Sequence, residues 1–238
     1  MESSNGFEEF EKRIGIQFVN KSLLRAAFTH RSYLNENKSV GREHNERLEF
    51  LGDAVLELII TEYLYGKYPG KPEGDLTSYR SALVRTETLS SVADKLNIND
   101  HILLSRGEAK DTGRARQFIL ANTVEAIIGA VYLDQGYESA KNFVSKNLFH
   151  LIDDIVDSGA WVDAKSHFQE KAQDISGVTP TYKVVRETGP DHDKKFVSAV
   201  FVGDEMVAEG EGRSKQEAEQ EAAKQGLKKR GWDKNSDR

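Results

Sequence analysis

Four acidic residues recur at helical spacing in the segment 46–57. Glu46, Glu49, Asp53 and Glu57 are three or four residues apart, which places them within about 80° on one side of a helix. Like charges at these spacings repel by about 0.2–0.5 kcal/mol per pair, so the stripe is either a solvated face or a cation-binding surface. Phe50 lies on the acidic side, which favours a surface that meets a partner. The opposite side is apolar and consists of Leu48, Leu51, Val55, Leu58 and Ile59.

Two further segments offer oxygen ligands. Glu73 follows a proline at a predicted helix start, and Asn122 and Glu125 interrupt an apolar helical segment. A carboxylate among apolar neighbours is costly to bury unless it is paired or bound to metal. Carboxylate and amide oxygens suit Mg²⁺ or Mn²⁺. Such sites commonly support the hydrolysis of phosphate esters.

Composition excludes several classes of site and of protein. The chain has no cysteine, which rules out disulfides, thiolate zinc sites and cysteine nucleophiles. The first six residues lack the basic and apolar regions of a signal peptide, and no apolar stretch is long enough to span a bilayer. We therefore expect a cytoplasmic protein without membrane contact. The net charge of −6 argues mildly against a nucleic-acid ligand, but residues 165–238 are neutral, so the whole excess lies in the first part.

The first part of the chain has the pattern of an all-helical domain. A loop is expected over 29–42 and another over 107–113, and Gly136 is expected to end a helix. No segment in this part has the alternation of a strand. The predicted helices cover 7–14, 20–28, 45–65, 76–89, 117–133 and 140–156.

The pattern changes after the linker candidate 158–164. A helix is predicted over 167–175, strands over 181–187, 195–202 and 206–211, and a helix over 214–227. Ser214 with Glu217 three residues later is a capping box. The order α-β-β-β-α predicts a small sheet with two helices on one face. The domains are predicted as 1–157, a linker at 158–164, a second domain at 165–232 and a tail at 233–238.

The motifs together resemble those of bacterial ribonuclease III. The segment 45–56, NERLEFLGDAVL, is similar to the signature of that family, and 29–33, 73–76 and 122–130 resemble further family blocks in the same order. The resemblance covers nearly the whole chain and implies an all-α endonuclease domain followed by an α+β double-stranded-RNA-binding domain. It further implies a homodimer that cleaves double-stranded RNA with Mg²⁺, or with Mn²⁺ as substitute.

The resemblance also implies products and substrates. Each cut would leave a 5′-phosphate and a 3′-hydroxyl, and paired cuts across the dimer would leave short 3′ overhangs. The substrates implied are ribosomal RNA precursors and structured messenger RNAs. A-form shape and 2′-hydroxyl contacts would discriminate RNA from DNA.

Residue roles are implied by the same motifs. Glu49, Asp53, Asn122 and Glu125 would bind the metal, with Asp53 and Glu125 catalytic, and Glu46 and Glu73 would lie in the catalytic valley. Phe50 would enter a socket on the partner subunit. Many family members carry Asp where this chain has Asn122, so the expected metal ligands of this chain have one negative charge fewer.

The second domain resembles a double-stranded-RNA-binding domain, in which the first helix, the loop between the first two strands and the start of the last helix contact RNA. The matching residues are Gln169, Glu170, Gln173, His192, Arg213, Lys215 and Gln216.

Two other functions remain open at this point. In a non-catalytic RNA-binding protein, Asn122 would have disabled the metal site, although the acids at 46, 49, 53, 73 and 125 are intact. An all-helical nucleotide pyrophosphohydrolase also uses Glu-x-x-Glu pairs and Mg²⁺, but it gives the second domain no purpose.

Overall fold

The computed structural model describes residues 5–37, 43–158, 163–190 and 194–232. The chain forms two compact units that divide between residues 161 and 162. The first unit is helical, and the second combines two helices with a three-stranded sheet, so the predicted fold class is confirmed. At the ends of the predicted linker, Ser158 and Ala164 belong to helices. Residues 159–162 of that linker and the predicted tail 233–238 lie outside the described residues.

Eight α-helices form the described part of the first unit, and no helix in the described ranges is long and apolar enough to cross a lipid bilayer. The helices are α1 (Asn5–Ile14), α2 (Lys21–Phe28), α3 (Arg31–Glu36), α4 (Glu46–Lys67), α5 (Glu73–Val84), α6 (Thr86–Lys95), α7 (Arg114–Val144) and α8 (Leu151–Ser158).

The crossing of α4 and α7 brings two backbones into direct contact. A Cβ added to Gly52 of α4 would lie 1.8 Å from the carbonyl oxygen of Glu125, and one added to Gly129 of α7 would lie 2.3 Å from the carbonyl oxygen of Leu48. Any larger residue at either position would force the helices apart, so the two glycines set the distance between them. The core around the crossing is filled by buried Leu56, Ile60, Val124, Ile127 and Ile128.

The second half of α7 bends at Gly136, where φ is 80° and ψ is −177°. This conformation is not helical and favours glycine, so the predicted stop at Gly136 is confirmed, and a second helical segment of α7 follows it directly. Asp134 anchors the bend by accepting hydrogen bonds from the backbone N–H groups of Val19 (2.9 Å) and Asn20 (2.8 Å). The predicted helix 140–156 is observed as the end of α7, a π-helical turn (Ser145–Phe149) and α8.

Two other predictions for the first unit need correction. The expected loop 29–42 contains α3, which begins after His30, whose Nδ1 accepts a hydrogen bond from the Ser32 N–H at 3.3 Å. The expected helix 76–89 is two helices, because Arg85 is extended (φ −64°, ψ 154°). Thr29 and Leu103 also form an isolated parallel bridge. The bridge depends on a contact between distant segments, which periodicity does not report.

The second unit has the predicted order of elements: α9 (Ala164–Ser176), β1 (Thr181–Thr188), β2 (Lys195–Val202), β3 (Glu205–Gly212) and α10 (Lys215–Arg230). The strands pair antiparallel in the order β1-β2-β3. Gly210 lets α10 approach β3, since a Cβ there would lie 2.1 Å from the Ala222 nitrogen. The core contains Phe168, Ala172, Val200, Val207 and Leu227.

The predicted cap of the last helix is present with one change of partner. Ser214 Oγ accepts a hydrogen bond from the Glu217 N–H at 3.1 Å, as expected. Glu217 in turn accepts from the N–H of Arg213 at 2.9 Å instead of from that of Ser214. The start of α10 is therefore fixed from both directions.

The helix crossing can be tested with a matched pair of glycine substitutions. Gly129→Ala forces α4 and α7 apart, so we expect the free energy of unfolding to fall by about 1–3 kcal/mol. Gly66→Ala lies within α4 with no atom within 4 Å of the added Cβ. That control should gain up to about 1 kcal/mol in stability from its higher helix propensity. Urea unfolding followed by circular dichroism measures both, and equal midpoints for the two variants would contradict the close crossing.

Candidate active site and RNA-binding surface

The acidic stripe of α4 faces the polar positions of α7 next to the glycine crossing. On α4, Glu49 is half-buried and Asp53 is exposed, while the apolar Leu48 and Val55 turn inward. On α7, Asn122 and Glu125 are the partly exposed positions between buried neighbours. The close approach of the two backbones at Gly52 and Gly129 is what brings these two pairs of side chains to face each other.

Hydrogen bonding and charge repulsion connect these groups. Burial raises the pKa of Glu49, and the charges of Glu46 and Asp53 raise it further, while a hydrogen bond from the Asn122 side chain opposes them. Burial also raises the pKa of Glu125 to about 8, with further contributions from the charges of Asp53 and Glu49. Carboxylates from two helices are thus close enough to disfavour one another's charged form.

The donor set suits a hard divalent cation in chemistry and charge. Glu49, Asp53 and Glu125 supply carboxylate oxygens and Asn122 an amide oxygen, the ligand types that Mg²⁺ prefers. A cation would offset the repulsion that raises the pKa values of Glu49 and Glu125. Within the described ranges, no three acidic or histidine side chains form a ready-made metal cluster. The structure therefore gathers the four predicted ligands without arranging them as a closed coordination shell.

Of the two predicted valley residues, the structure links one to this group. Glu46 is exposed at the start of α4, with Arg31 Nη1 at 3.8 Å and His44 Nδ1 at 3.9 Å from its carboxylate oxygens. Its charge contributes to the raised pKa of Glu49. Glu73 is the exposed first residue of α5 and is not among the charges that act on Glu49 or Glu125.

Two histidines beside Glu46 carry a role that sequence reasoning did not assign. Burial lowers the pKa of His30 even though Glu108 and Glu46 favour its charged form. The His30 ring lies 2.8 Å from Ser32 Oγ, which accepts a hydrogen bond from the Ser105 N–H at 3.1 Å. The Nδ1 atom of His44 is buried without a hydrogen-bond partner. The hydrogen bonds of Ser32 connect the segment around residue 105 to α3 and His30, and this contact exists only in the folded protein.

Phe50 is 81% exposed on α4, as its place on the acidic side predicts. An apolar hollow opens nearby between α4 and α7. Leu58, predicted as a core residue, is instead 57% exposed at its edge. The hollow is lined by Leu51, Ala54, Val55, Leu58, Tyr132 and Tyr137.

In the second unit the predicted RNA-binding residues lie on two helices. Gln169, Glu170 and Gln173 are exposed on α9. Arg213, Lys215 and Gln216 are exposed at the start of α10. His192, in the loop between β1 and β2, lies outside the described residues.

Lys215 belongs to a charged group that sequence reasoning missed. The carboxylate of Glu187, at the end of β1, lies 3.0 Å from Lys194 Nζ and 3.9 Å from Lys215 Nζ. Both ammonium groups lie 5.9 Å from the centroid of the Phe196 ring. We call these four residues the Glu187 cluster. They come from three separate elements, so no local pattern identifies them.

Comparisons with known proteins agree with this two-part organisation. Residues 20–152 match the ribonuclease-III-like family model, and residues 164–230 match the double-stranded RNA binding motif. Ribonuclease 3 of Bacillus licheniformis is 47% identical over 223 residues, which cover 94% of this chain and 89% of that protein. Ribonuclease 3 of Streptococcus pneumoniae is 46% identical, with 92% and 94% covered.

Solved structures give the same result for the first unit. The crystal structure of the ribonuclease III nuclease domain from Campylobacter jejuni is 40% identical, with a TM-score of 0.54, and covers 65% of this chain and 96% of that one. A second structure of that domain, described by its flexibility in a region involved in dimer formation, is 42% identical with a TM-score of 0.53, and covers 59% and 96%. On these matches and on the extent of the relatives, the chain belongs to the ribonuclease III family, the endoribonucleases that act on double-stranded RNA.

Proposed function

We propose that the protein is a Mg²⁺-dependent endoribonuclease that hydrolyses double-stranded RNA to 5′-phosphate and 3′-hydroxyl ends with short 3′ overhangs. The proposed substrates are ribosomal RNA precursors and structured messenger RNAs of the cytoplasm. One observation carries the proposal: the mutually repelling carboxylates of Glu49, Asp53 and Glu125, with Asn122 beside them, in a chain that also has a double-stranded RNA binding motif.

The proposed division of roles follows the position of each side chain. Glu49, Asp53, Asn122 and Glu125 would hold Mg²⁺, with Mn²⁺ as a substitute, and the bound ion supplies an activated water and neutralises charge at the phosphate. Asp53 and Glu125 are the proposed catalytic carboxylates. Asn122 donates a hydrogen bond to Glu49 and so holds its carboxylate toward α7. As a neutral ligand, Asn122 leaves the site one negative charge weaker than an aspartate would.

The valley residues are proposed to act around the metal group. Glu46 lies beside Arg31 and His44, and its negative charge helps to raise the pKa of Glu49. Glu73 is proposed from its motif, and its exposed position at the first turn of α5 leaves it accessible to a duplex.

The direct test is cleavage of end-labelled RNA duplex by the full chain, with Mg²⁺, with Mn²⁺ and with EDTA. We expect cleavage with either metal, none with EDTA, and little on single-stranded RNA or duplex DNA. Binding without cleavage at ample metal would identify a non-catalytic RNA-binding protein. Release of pyrophosphate from free nucleotides would favour the pyrophosphohydrolase instead.

Removing one carboxylate should separate metal binding from folding. Glu125→Gln removes a carboxyl group whose charged form the folded protein disfavours, so we expect the metal-free protein to melt about 2–4 °C higher, which corresponds to about 1 kcal/mol. Added Mg²⁺ should no longer raise the melting temperature, and cleavage should fall by roughly 10²–10³. Glu138→Gln, an exposed acid farther along α7, is the matched control. If Mg²⁺ raised the melting temperature of Glu125→Gln as much as that of the wild type, the assignment of Glu125 as a metal ligand would be wrong.

We further propose a homodimer in which Phe50 of one subunit enters the hollow between α4 and α7 of the other. The exposed ring and the apolar lining residues of the hollow support this arrangement, because contiguous exposed apolar surface commonly marks an interface. Phe50 and the hollow lie on the same helix as Glu49 and Asp53, so the interface would border both metal sites.

Phe50→Asp should weaken this dimer strongly. A buried aromatic anchor typically contributes about 2–4 kcal/mol, which is a 30- to 1,000-fold change in the dissociation constant. Ile175→Asp introduces the same charge at a 62% exposed residue of α9 in the second unit, and it should not alter the mass of the oligomer. Light scattering coupled to size exclusion measures both, and a dimer that persists in the Phe50 variant at low concentration would refute the arrangement.

For the second unit we propose that RNA contacts α9 through Gln169, Glu170 and Gln173, the β1–β2 loop through His192, and the start of α10 through Arg213, Lys215 and Gln216. The exposure of the two helical sets supports this assignment. Residues 165–238 are neutral overall, so binding would depend on a few positioned groups instead of a broad basic surface.

Two substitutions should change RNA affinity in opposite directions. Lys215→Ala removes a phosphate contact, so duplex affinity should fall and the salt slope should decrease by about one. Glu187→Gln releases Lys194 and Lys215 from their ion pairs and should tighten binding. Lys224→Ala, an exposed lysine later in α10, is the control. Filter binding in EDTA across a salt series measures all three, and parallel salt slopes for wild type and Lys215→Ala would overturn the contact.

A further inference from the structure

The polar line that α7 presents beside the metal group continues beyond Asn122 toward the start of the helix. Phe118 is four residues before Asn122, and Arg114 is four residues before Phe118. With Glu125, these positions fall within about 80° around the helix axis. Phe118 therefore lies about 6 Å along the axis from Asn122, and Arg114 about 12 Å. We call Arg114 and Phe118 the α7 strip.

The exposure of Phe118 distinguishes it from its neighbours. Its side chain is 46% exposed, whereas Leu120, Ala121, Val124 and Ile127 of the same helix are buried. The guanidinium carbon of Arg114 lies 5.8 Å from the centroid of the Phe118 ring. A cation over the face of an aromatic ring is attracted by the ring quadrupole, so the ring restrains the arginine. The pair is ordered by this contact and still accessible to a ligand.

The guanidinium of Arg114 retains its capacity to bind an anion. Among the residues that the structure describes, no carboxylate forms an ion pair with Arg114. The nearby Arg116 differs, because it donates to the carbonyl oxygens of Asp111 (3.1 Å) and Glu108 (2.8 Å) and so holds its own loop. A guanidinium stacked on a ring can still donate in its plane to phosphate oxygens.

We propose that the α7 strip binds the sugar–phosphate backbone of the RNA beside the scissile phosphate, with Arg114 on a phosphate and Phe118 against the adjoining ribose. The inference rests on the proposed function and adds to it a contact that positions the substrate. The chemistry of the strip supports an RNA backbone as the occupant, because Arg114 is an exposed cation that pairs with no described carboxylate and lies over an exposed aromatic ring. Both residues are positioning residues and not catalytic ones.

Steady-state cleavage of a duplex by the full chain tests the strip. Arg114→Gln should lower kcat/KM about tenfold, chiefly through KM, and reduce the salt slope by about one. Phe118→Ala and Phe118→Leu should each lower kcat/KM severalfold, whereas Phe118→Tyr, which keeps the ring, should retain wild-type activity. Lys95→Gln, an exposed cation at the end of α6, is the control and should be unchanged. Melting temperatures confirm that each variant is folded.

Several results would overturn the inference. An Arg114→Gln variant with wild-type KM and salt slope would show that no phosphate binds there. Equal activity of the Leu and Tyr variants at 118 would remove the role of the ring. A change in oligomeric mass of Phe118→Ala without RNA would assign the surface to a protein interface. If the wild type did not cleave the duplex, only the proposed function would be contradicted. The strip could still be tested, because duplex binding by Arg114→Gln and by the wild type can be compared in EDTA.

Discussion

The contact between the backbones of α4 and α7 determines most of what the first unit can do. Gly52 and Gly129 are placed so that each helix approaches a carbonyl oxygen of the other. The residues that repel one another, Glu49 on one helix and Glu125 on the other, lie next to that contact. The stability of the crossing must therefore offset the cost of bringing carboxylates together, and the buried apolar side chains around it provide the driving force. The packing of α4 against α7 therefore forms both the core of the first unit and the candidate site.

Periodicity predicted much of the fold because the chain follows simple rules over long stretches. Strands form over the predicted segments, although residues 197–200 of β2 are all buried and do not alternate. The side of α4 that carries the acids faces outward as its spacing requires. The errors occur where one residue changes direction. Arg85, for example, is extended between two helices. Leu58 is apolar yet exposed, because the side of the helix on which it lies borders an open hollow.

The candidate site was predictable to a similar extent and for a related reason. Spacing within α4 identified a stripe of four acids, from which the family resemblance selected Glu49 and Asp53 as metal ligands. A carboxylate in an apolar segment identified Glu125. The groups that surround them were not predictable, because their contacts join distant segments: His44 with Glu46, and Ser32 with Ser105. The same applies to the Glu187 cluster. A sequence displays the charges within one element, but their partners depend on the tertiary structure.

The Glu187 cluster has a consequence for selectivity. In the free protein one carboxylate lies within 4 Å of two lysines, so an incoming phosphate must compete with an anion that is already in position. A small anion gains little from such an exchange, since it offers one charge for another. A duplex presents several phosphates at fixed spacing and can occupy both lysines together, with Arg213 nearby at the start of the helix. If Lys215 binds phosphate as proposed, Glu187 would act as an internal competitor that lowers the affinity for isolated anions more than the affinity for a duplex.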